Sequence, residues 1–176
     1  MSGDAGGVVW LTGLSGAGKT TVAGLLDGLL RAEGRTPVLL DGDRQRAIMP
    51  AKFGYAQEDR RALAWWYARL AAEFAGQGHL VICATISLFH EVHDWSRANV
   101  ANYLEVWLRA PVPELRTRPG RARLYDDCAD VVGIGVEPEF PRRPDLVIDN
   151  YPPVTAARSA ALIRSAVSHW YERDIA

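Results

Sequence analysis

Two hydrophobic periods alternate along this chain, and together they predict its architecture. Short apolar runs at 8–11, 36–40, 79–85, 103–108 and 145–149 read as strands. The 79–85 run is apolar almost throughout, as expected for a strand buried on both faces of a parallel sheet. Between the runs, apolar residues recur at helical spacing. Val22, Leu25, Leu26, Leu29 and Leu30 mark a helix over 21–33, closed by Gly34. Leu63, Trp66, Tyr67, Leu70 and Phe74 form a core-facing stripe on a helix over 58–75. Trp65 lies off that stripe, either at a half-exposed core edge or against a partner subunit. Further helices are predicted over 91–100, over 111–117 with Pro111 opening the first turn, and over 154–171. The stretch 44–54 reads as broken, with Pro50 and Gly54 as punctuation. The stretch 118–144 is charged and aperiodic, the signature of a lid or binding loop, or else of disorder. Strands alternating with helices give an α/β fold, a parallel sheet of about five strands with right-handed crossovers. One domain is expected over 8–176, after a loose 1–7.

Composition narrows the class without changing the fold. With 176 residues and 48% hydrophobic positions, the chain can bury a core of ordinary size. The formal net charge of −1 offers no global field for nucleic acid or an anionic membrane. Basic residues gather locally instead, at Arg44 and Arg46, at Arg60 and Arg61, and from Arg116 to Arg123. Such clusters suit a small anionic ligand. The two cysteines, Cys83 and Cys128, show no metal spacing or disulfide framework. A reducing, cytoplasmic setting is expected, with no membrane span.

One stretch changes the picture decisively. Gly13-Leu14-Ser15-Gly16-Ala17-Gly18-Lys19-Thr20 fits G-x-x-x-x-G-K-[ST] at every fixed position, between a predicted strand and a predicted helix. Glycines let the backbone bring its N–H groups against phosphate oxygens. The helix start adds unsatisfied donors and a positive dipole end. Lys19 is expected to reach the β- and γ-phosphates, and the Thr20 hydroxyl to sit on Mg²⁺. Gly13, Ser15, Gly16, Ala17, Gly18 and Thr21 complete the candidate triphosphate site. The expected ligand is therefore a nucleoside triphosphate with Mg²⁺.

Ligands of parallel α/β sheets sit at the carboxyl ends of the strands. That rim collects the loop, Asp41, Asp43, Ser87 and the 118–144 segment. Phosphoryl transfer needs positioning, metal, cationic stabilisation and a carboxylate for the attacking hydroxyl. Asp43 is the candidate base, with Asp41 touching the acceptor and holding the metal's water shell. Arg46 and Arg60 are candidate clamps for the acceptor's anionic group. Arg118, Arg121 and Arg123 are candidates to close over the donor, Arg118 first. His90 and His93 stand three apart at a helix start but have no further ligands nearby, so they read as a surface helix face. His169 reads as structural or exposed, and Cys83 as inert packing.

These residues resemble adenylylsulfate kinase, the family that moves the γ-phosphate of ATP to the 3′-hydroxyl of adenosine 5′-phosphosulfate. The resemblance rests on GLSGAGKT over 13–20, on Leu40-Asp41-Gly42-Asp43 with Arg46, and on Gly54-Tyr55 with Glu58-Asp59-Arg60, similar to G-F-S-x-E-D-R. Ile86-Ser87 is similar to the start of I-S-P-Y-R, Leu124-Tyr125 to the end of K-G-L-Y, and 133–144 to G-I-D-x-P-Y-x-x-P-x-x-P. The likeness covers about residues 8–150. It implies a nucleotide-kinase-like P-loop fold, ATP on the phosphate loop, a catalytic Asp43, a mobile lid and a homodimer. It further implies acceptor contacts from Arg46, Tyr55, Arg60, Ile86 and Ser87.

The departures cluster on the acceptor side. Leu63 stands where the family has an Asn one helical turn beyond the E-D-R arginine. Val131 and Val132 stand near the family's G-F-T-G-I, where a Phe stacks on the acceptor base, and a Val cannot stack. The proline and arginine of I-S-P-Y-R are Leu88 and His90. A changed acceptor would produce this pattern. The chain also resembles a branch of the family that phosphorylates cytidine diphosphoramidate. The rival from another class is a regulatory P-loop module. A guanine-reading N/T-K-x-D segment is missing, since Lys19 and Lys52 are the only lysines.

Overall fold

The computed structural model describes residues 6–49, 53–54, 56–121, 125 and 132–172. Five strands form one parallel sheet: β1 Gly7–Thr12, β2 Val38–Asp41, β3 Leu80–Ala84, β4 Tyr103–Arg109 and β5 Leu146–Asp149. Their order is β2-β3-β1-β4-β5, with every pair parallel. β1 lies at the centre and is buried along its whole length. Its register sets Val9 beside Ile82 and Leu104, so the strand entering the phosphate loop is held from both sides.

The period-two alternation of β1 divides the core. Val9 and Leu11 face one side, where α1 (Lys19–Ala32) packs with Leu26 and Leu30 and α6 (Ala156–Val167) with Ile163 and Val167. Val8 and Trp10 face the other, against α3 (Gln57–Gly76) and Val92 of α4 (His90–Asn99). α2 (Gly42–Ile48), α5 (Val112–Arg116) and the short α7 (His169–Glu172) complete the helices. The expected closing helix thus divides at Ser168.

Three expectations need correction. The stretch 44–54 was expected to be broken, yet its first part is helix. Asp41 caps α2, its Oδ1 accepting from the amides of Asp43 at 3.1 Å and Arg44 at 3.2 Å. The α3 stripe is also rotated. Leu63, Ala64, Tyr67, Ala68 and Ala71 are buried, while Trp66 is 37% exposed, because small alanines let the helix lie close to the sheet. Trp65 packs edge-on against Trp95 at 5.7 Å, and its Nε1 donates to Glu91. On α1 the stripe is narrower than expected: Leu26 and Leu30 are buried, but Leu25 and Leu29 are each 40% exposed. Among the described residues, no helix is long and apolar enough to cross a membrane.

The two sides of α1 should differ in stability cost. Leu26→Ala should destabilise by about 2–5 kcal/mol through lost burial and a residual cavity. Leu25→Ala should cost less than about 1 kcal/mol. Urea unfolding of the two variants checks the difference.

Candidate active site

The carboxyl ends of β1, β2 and β3 open into a cleft of about 570 Å³, and the phosphate loop forms one wall. The loop's shape follows from its glycines. Gly13 has φ 149°, and a Cβ there would lie 2.4 Å from the Leu108 carbonyl oxygen. Gly18 has φ 93°, and a Cβ there would lie 2.4 Å from Asn150 Nδ2. Neither position accepts a side chain. Asn150, just past β5, donates from Nδ2 to the Ala17 carbonyl at 2.7 Å, and Ser159 of α6 holds its Oδ1 at 2.7 Å. Tyr125 donates its hydroxyl to the Ser15 carbonyl.

Lys19 bends back over the loop, donating to the carbonyls of Gly13 at 2.9 Å and Leu14 at 2.8 Å. Lys19 as a whole keeps partial exposure, but burial around its ammonium lowers its pKa to about 8. Nearby Asp43 opposes that shift, Arg121 reinforces it, and Asp41 opposes it again. Thr20 Oγ1 donates to Asp41 Oδ2 at 2.7 Å, so the end of β2 is tied to the start of α1. Asp41 is buried, whereas Asp43 lines the cleft from the first turn of α2 and is exposed.

Arg118 spans the loop, donating to the carbonyls of Gly16 and Asn150. Arg121 donates to Ser15 Oγ at 3.0 Å. Arg46, which donates to the Phe53 carbonyl at 3.4 Å, lines the same cleft, as do Arg60, Leu63, Ile86 and Ser87. Thr21 also lines the cleft, and Ala17 is fully buried behind it. Tyr67 is a further wall residue; burial raises its hydroxyl to about 12, and it donates to the Gly42 carbonyl at 3.0 Å. Tyr55 and Val131 lie outside the described residues; Val132 lines the cleft.

The cleft therefore sets Lys19, Arg46, Arg60, Arg118 and Arg121 around Asp41 and Asp43. That charge pattern suits a polyanion accompanied by a cation. The profile of the family described as adenylylsulphate kinase matches residues 5–149. The chain belongs to the adenylylsulfate kinase family. It is accordingly a phosphotransferase acting on a hydroxyl group, a kinase of the nucleotide-binding P-loop type. The adenylyl-sulfate kinase of Paraburkholderia xenovorans is 40% identical over 155 residues, covering 85% of this chain and 86% of that one. The cytidine diphosphoramidate kinase of Campylobacter jejuni is 35% identical over 147 residues, covering 81% and 85%. The structure of the Mycobacterium tuberculosis APS kinase CysC, in complex with AMPPNP and APS, superposes with a TM-score of 0.80 at 27% identity. It covers 93% of this chain and 98% of that one.

Sequence reasoning missed three parts of this adenylylsulfate kinase-family site. Asn150 went unnoticed although it follows β5 directly, on the rim where ligand groups gather. Tyr125 was picked out only for its likeness to the end of K-G-L-Y, and its hydroxyl bond to the loop was not foreseen. His93, expected on an exposed face, is 4% exposed, because α4 turns that face inward against Trp10 and Glu105. Its neighbour His90 faces the 139–140 segment, its backbone N–H donating to Glu139 at 2.6 Å and its ring Nε2 lying 2.8 Å from the Phe140 carbonyl.

The lowered Lys19 predicts a proton signature. At pH 8.5 the free chain carries Lys19 mostly neutral, since its pKa is about 8. Phosphate oxygens favour the charged form and pull that pKa back up. Binding a non-hydrolysable ATP analogue should then take up a large fraction of one proton at pH 8.5 and little at pH 6.5. Calorimetry in buffers of different ionisation enthalpy reads the uptake, which Lys19→Met should remove.

Proposed function

We propose that this chain transfers the γ-phosphate of ATP to a ribose hydroxyl of a nucleotide-linked acceptor, with adenosine 5′-phosphosulfate as the first reading. The observation that supports it is the shared cleft: Lys19, the loop, Asp43, Arg46 and Arg60 all line it, and Asp43 is near enough to Lys19 to oppose the fall in its pKa. The loop amides and Lys19 bind and orient the triphosphate. Asp43 orients or deprotonates the acceptor hydroxyl for in-line attack, while Arg46 and Arg60 grip the acceptor's anionic arm. Arg118 and Arg121 hold the loop closed and exclude water above the donor.

The residues fit Mg²⁺. Thr20 Oγ1 and Asp41 Oδ2 form an all-oxygen pair suited to a hard cation. No cluster of three or more His, Cys, Asp or Glu residues that could hold a metal exists among the described residues. Mg²⁺ sites of this class take most ligands from phosphate and water. Thr20 directly, and Asp41 through water, would hold the ion, which would supply neutralising charge to the triphosphate.

A second acceptor, a cytidine diphosphate conjugate such as the phosphoramidate, has its own support. Leu63 and Val132 both line the cleft, Leu63 where the family pattern has an Asn and Val132 near the position of its stacking Phe. The Campylobacter relative bears the corresponding name. An ADP-release assay offering both acceptors in parallel decides between them. Lys19→Ala and Asp43→Ala should each lower turnover by at least about a hundredfold on the preferred acceptor. Near-normal turnover of Asp43→Ala would remove the base from this account.

A further inference from the structure

A chain of charged groups runs from the surface at Asp145 and Arg97 to buried Glu105 and His93, and ends on the cleft wall at Ser87. Asp145 and Glu105 share Arg97, whose Nη2 lies 2.9 Å from an oxygen of each. The other Glu105 oxygen meets His93 Nδ1 at 2.9 Å, at ion-pair distance. His93 Nε2 meets the Ser87 carbonyl at 2.8 Å. His93 and Glu105 are only 4% and 3% exposed. Burial alone would raise Glu105, but His93 and Arg97 outweigh it and leave the carboxyl below its ordinary range. Nε2 faces a carbonyl oxygen, which only accepts, so that nitrogen donates to Ser87, while Nδ1 stands beside Glu105 without hydrogen-bond geometry.

Ser87 needs such a hold. Its φ is 28°, the only positive value at a non-glycine residue among the described residues. A serine in that region is strained and persists only where its surroundings fix it. Its hydroxyl meets Thr85 Oγ1 at 2.8 Å, and its carbonyl also accepts from Phe89 N at 3.1 Å. Ile86, Ser87 and Leu88 all line the cleft.

We propose that His93 is a positioning residue for the acceptor. Clamped between Glu105 and the Ser87 carbonyl, it holds the 86–88 turn in the shape that the acceptor meets. It touches neither substrate. The claim rests on reading the Ser87 end of the cleft as the acceptor side.

The test pairs kinetics with hydrogen exchange. His93→Leu should raise the acceptor KM about tenfold and move the ATP KM by less than about twofold. Amides of 86–89 should exchange faster in the same variant. His93→Gln, whose side-chain amide can still donate to the Ser87 carbonyl, should recover most of both properties. Parallel rises in the two KM values, or unchanged exchange at 86–89, would overturn the proposal. Should His93→Leu fail to fold, Glu105→Gln carries the test: an acceptor-selective rise supports the clamp, and an unchanged acceptor KM overturns it. If the unaltered chain transfers phosphate to neither acceptor, the acceptor reading falls, and the exchange data decide the His93 claim alone.

Discussion

The hydrogen bond from Thr20 Oγ1 to Asp41 Oδ2, at 2.7 Å, joins the two halves of the cleft. Thr20 opens the helix that leaves the phosphate loop. Asp41 ends β2 and, through its other oxygen, caps the helix that carries Asp43. One buried carboxylate therefore fixes the loop, the cap and the exposed carboxylate relative to one another. An N-cap is worth about 1 kcal/mol, and a buried acceptor left without its donor costs about 1–3 kcal/mol. The arrangement is thus held by the fold itself and does not wait for a ligand to assemble it. A loop that binds phosphate through backbone amides needs such preorganisation, because its donors act only when already aimed.

The opposite rim shows the same economy with different chemistry. Asn150 fills the space that a side chain at Gly18 would occupy and satisfies the Ala17 carbonyl. Arg118 joins that asparagine's carbonyl to Gly16, and Arg121 reaches Ser15. Each of these groups is cationic or polar and turned toward the loop, so a polyanion approaching it meets donors already in place. The low Lys19 pKa belongs to this picture. An ammonium crowded by burial and by Arg121 holds its proton less firmly than a free lysine, and under the proposed function phosphate oxygens would restore that hold.

Much of this was legible in the chain, and the reasons are physical. The phosphate loop combines glycines that backbone geometry requires with a lysine and a threonine that the ligand requires, so its pattern is read directly. The five strands were visible because a parallel sheet buries both faces. What escaped were features set by tertiary packing. The alanines of α3 outrank Trp66 as core residues because closeness to the sheet, not side-chain size, decides which face turns inward. Asp41 was read for chemistry alone, and its capping role went unseen, so α2 was taken as broken chain. His93 looked like a surface residue because hydropathy cannot show that Glu105 of β4 faces it from the sheet.

The central claim is that Asp43 stands where an acceptor hydroxyl meets the terminal phosphate of the donor. A crystal structure of the chain with a non-hydrolysable ATP analogue and the preferred acceptor tests it most directly. The account predicts the Asp43 carboxylate within hydrogen-bond reach, about 2.6–3.2 Å, of the acceptor hydroxyl, with that hydroxyl in line with the γ-phosphate held by Lys19. An acceptor hydroxyl bound away from Asp43, with some other group at that distance, would contradict it.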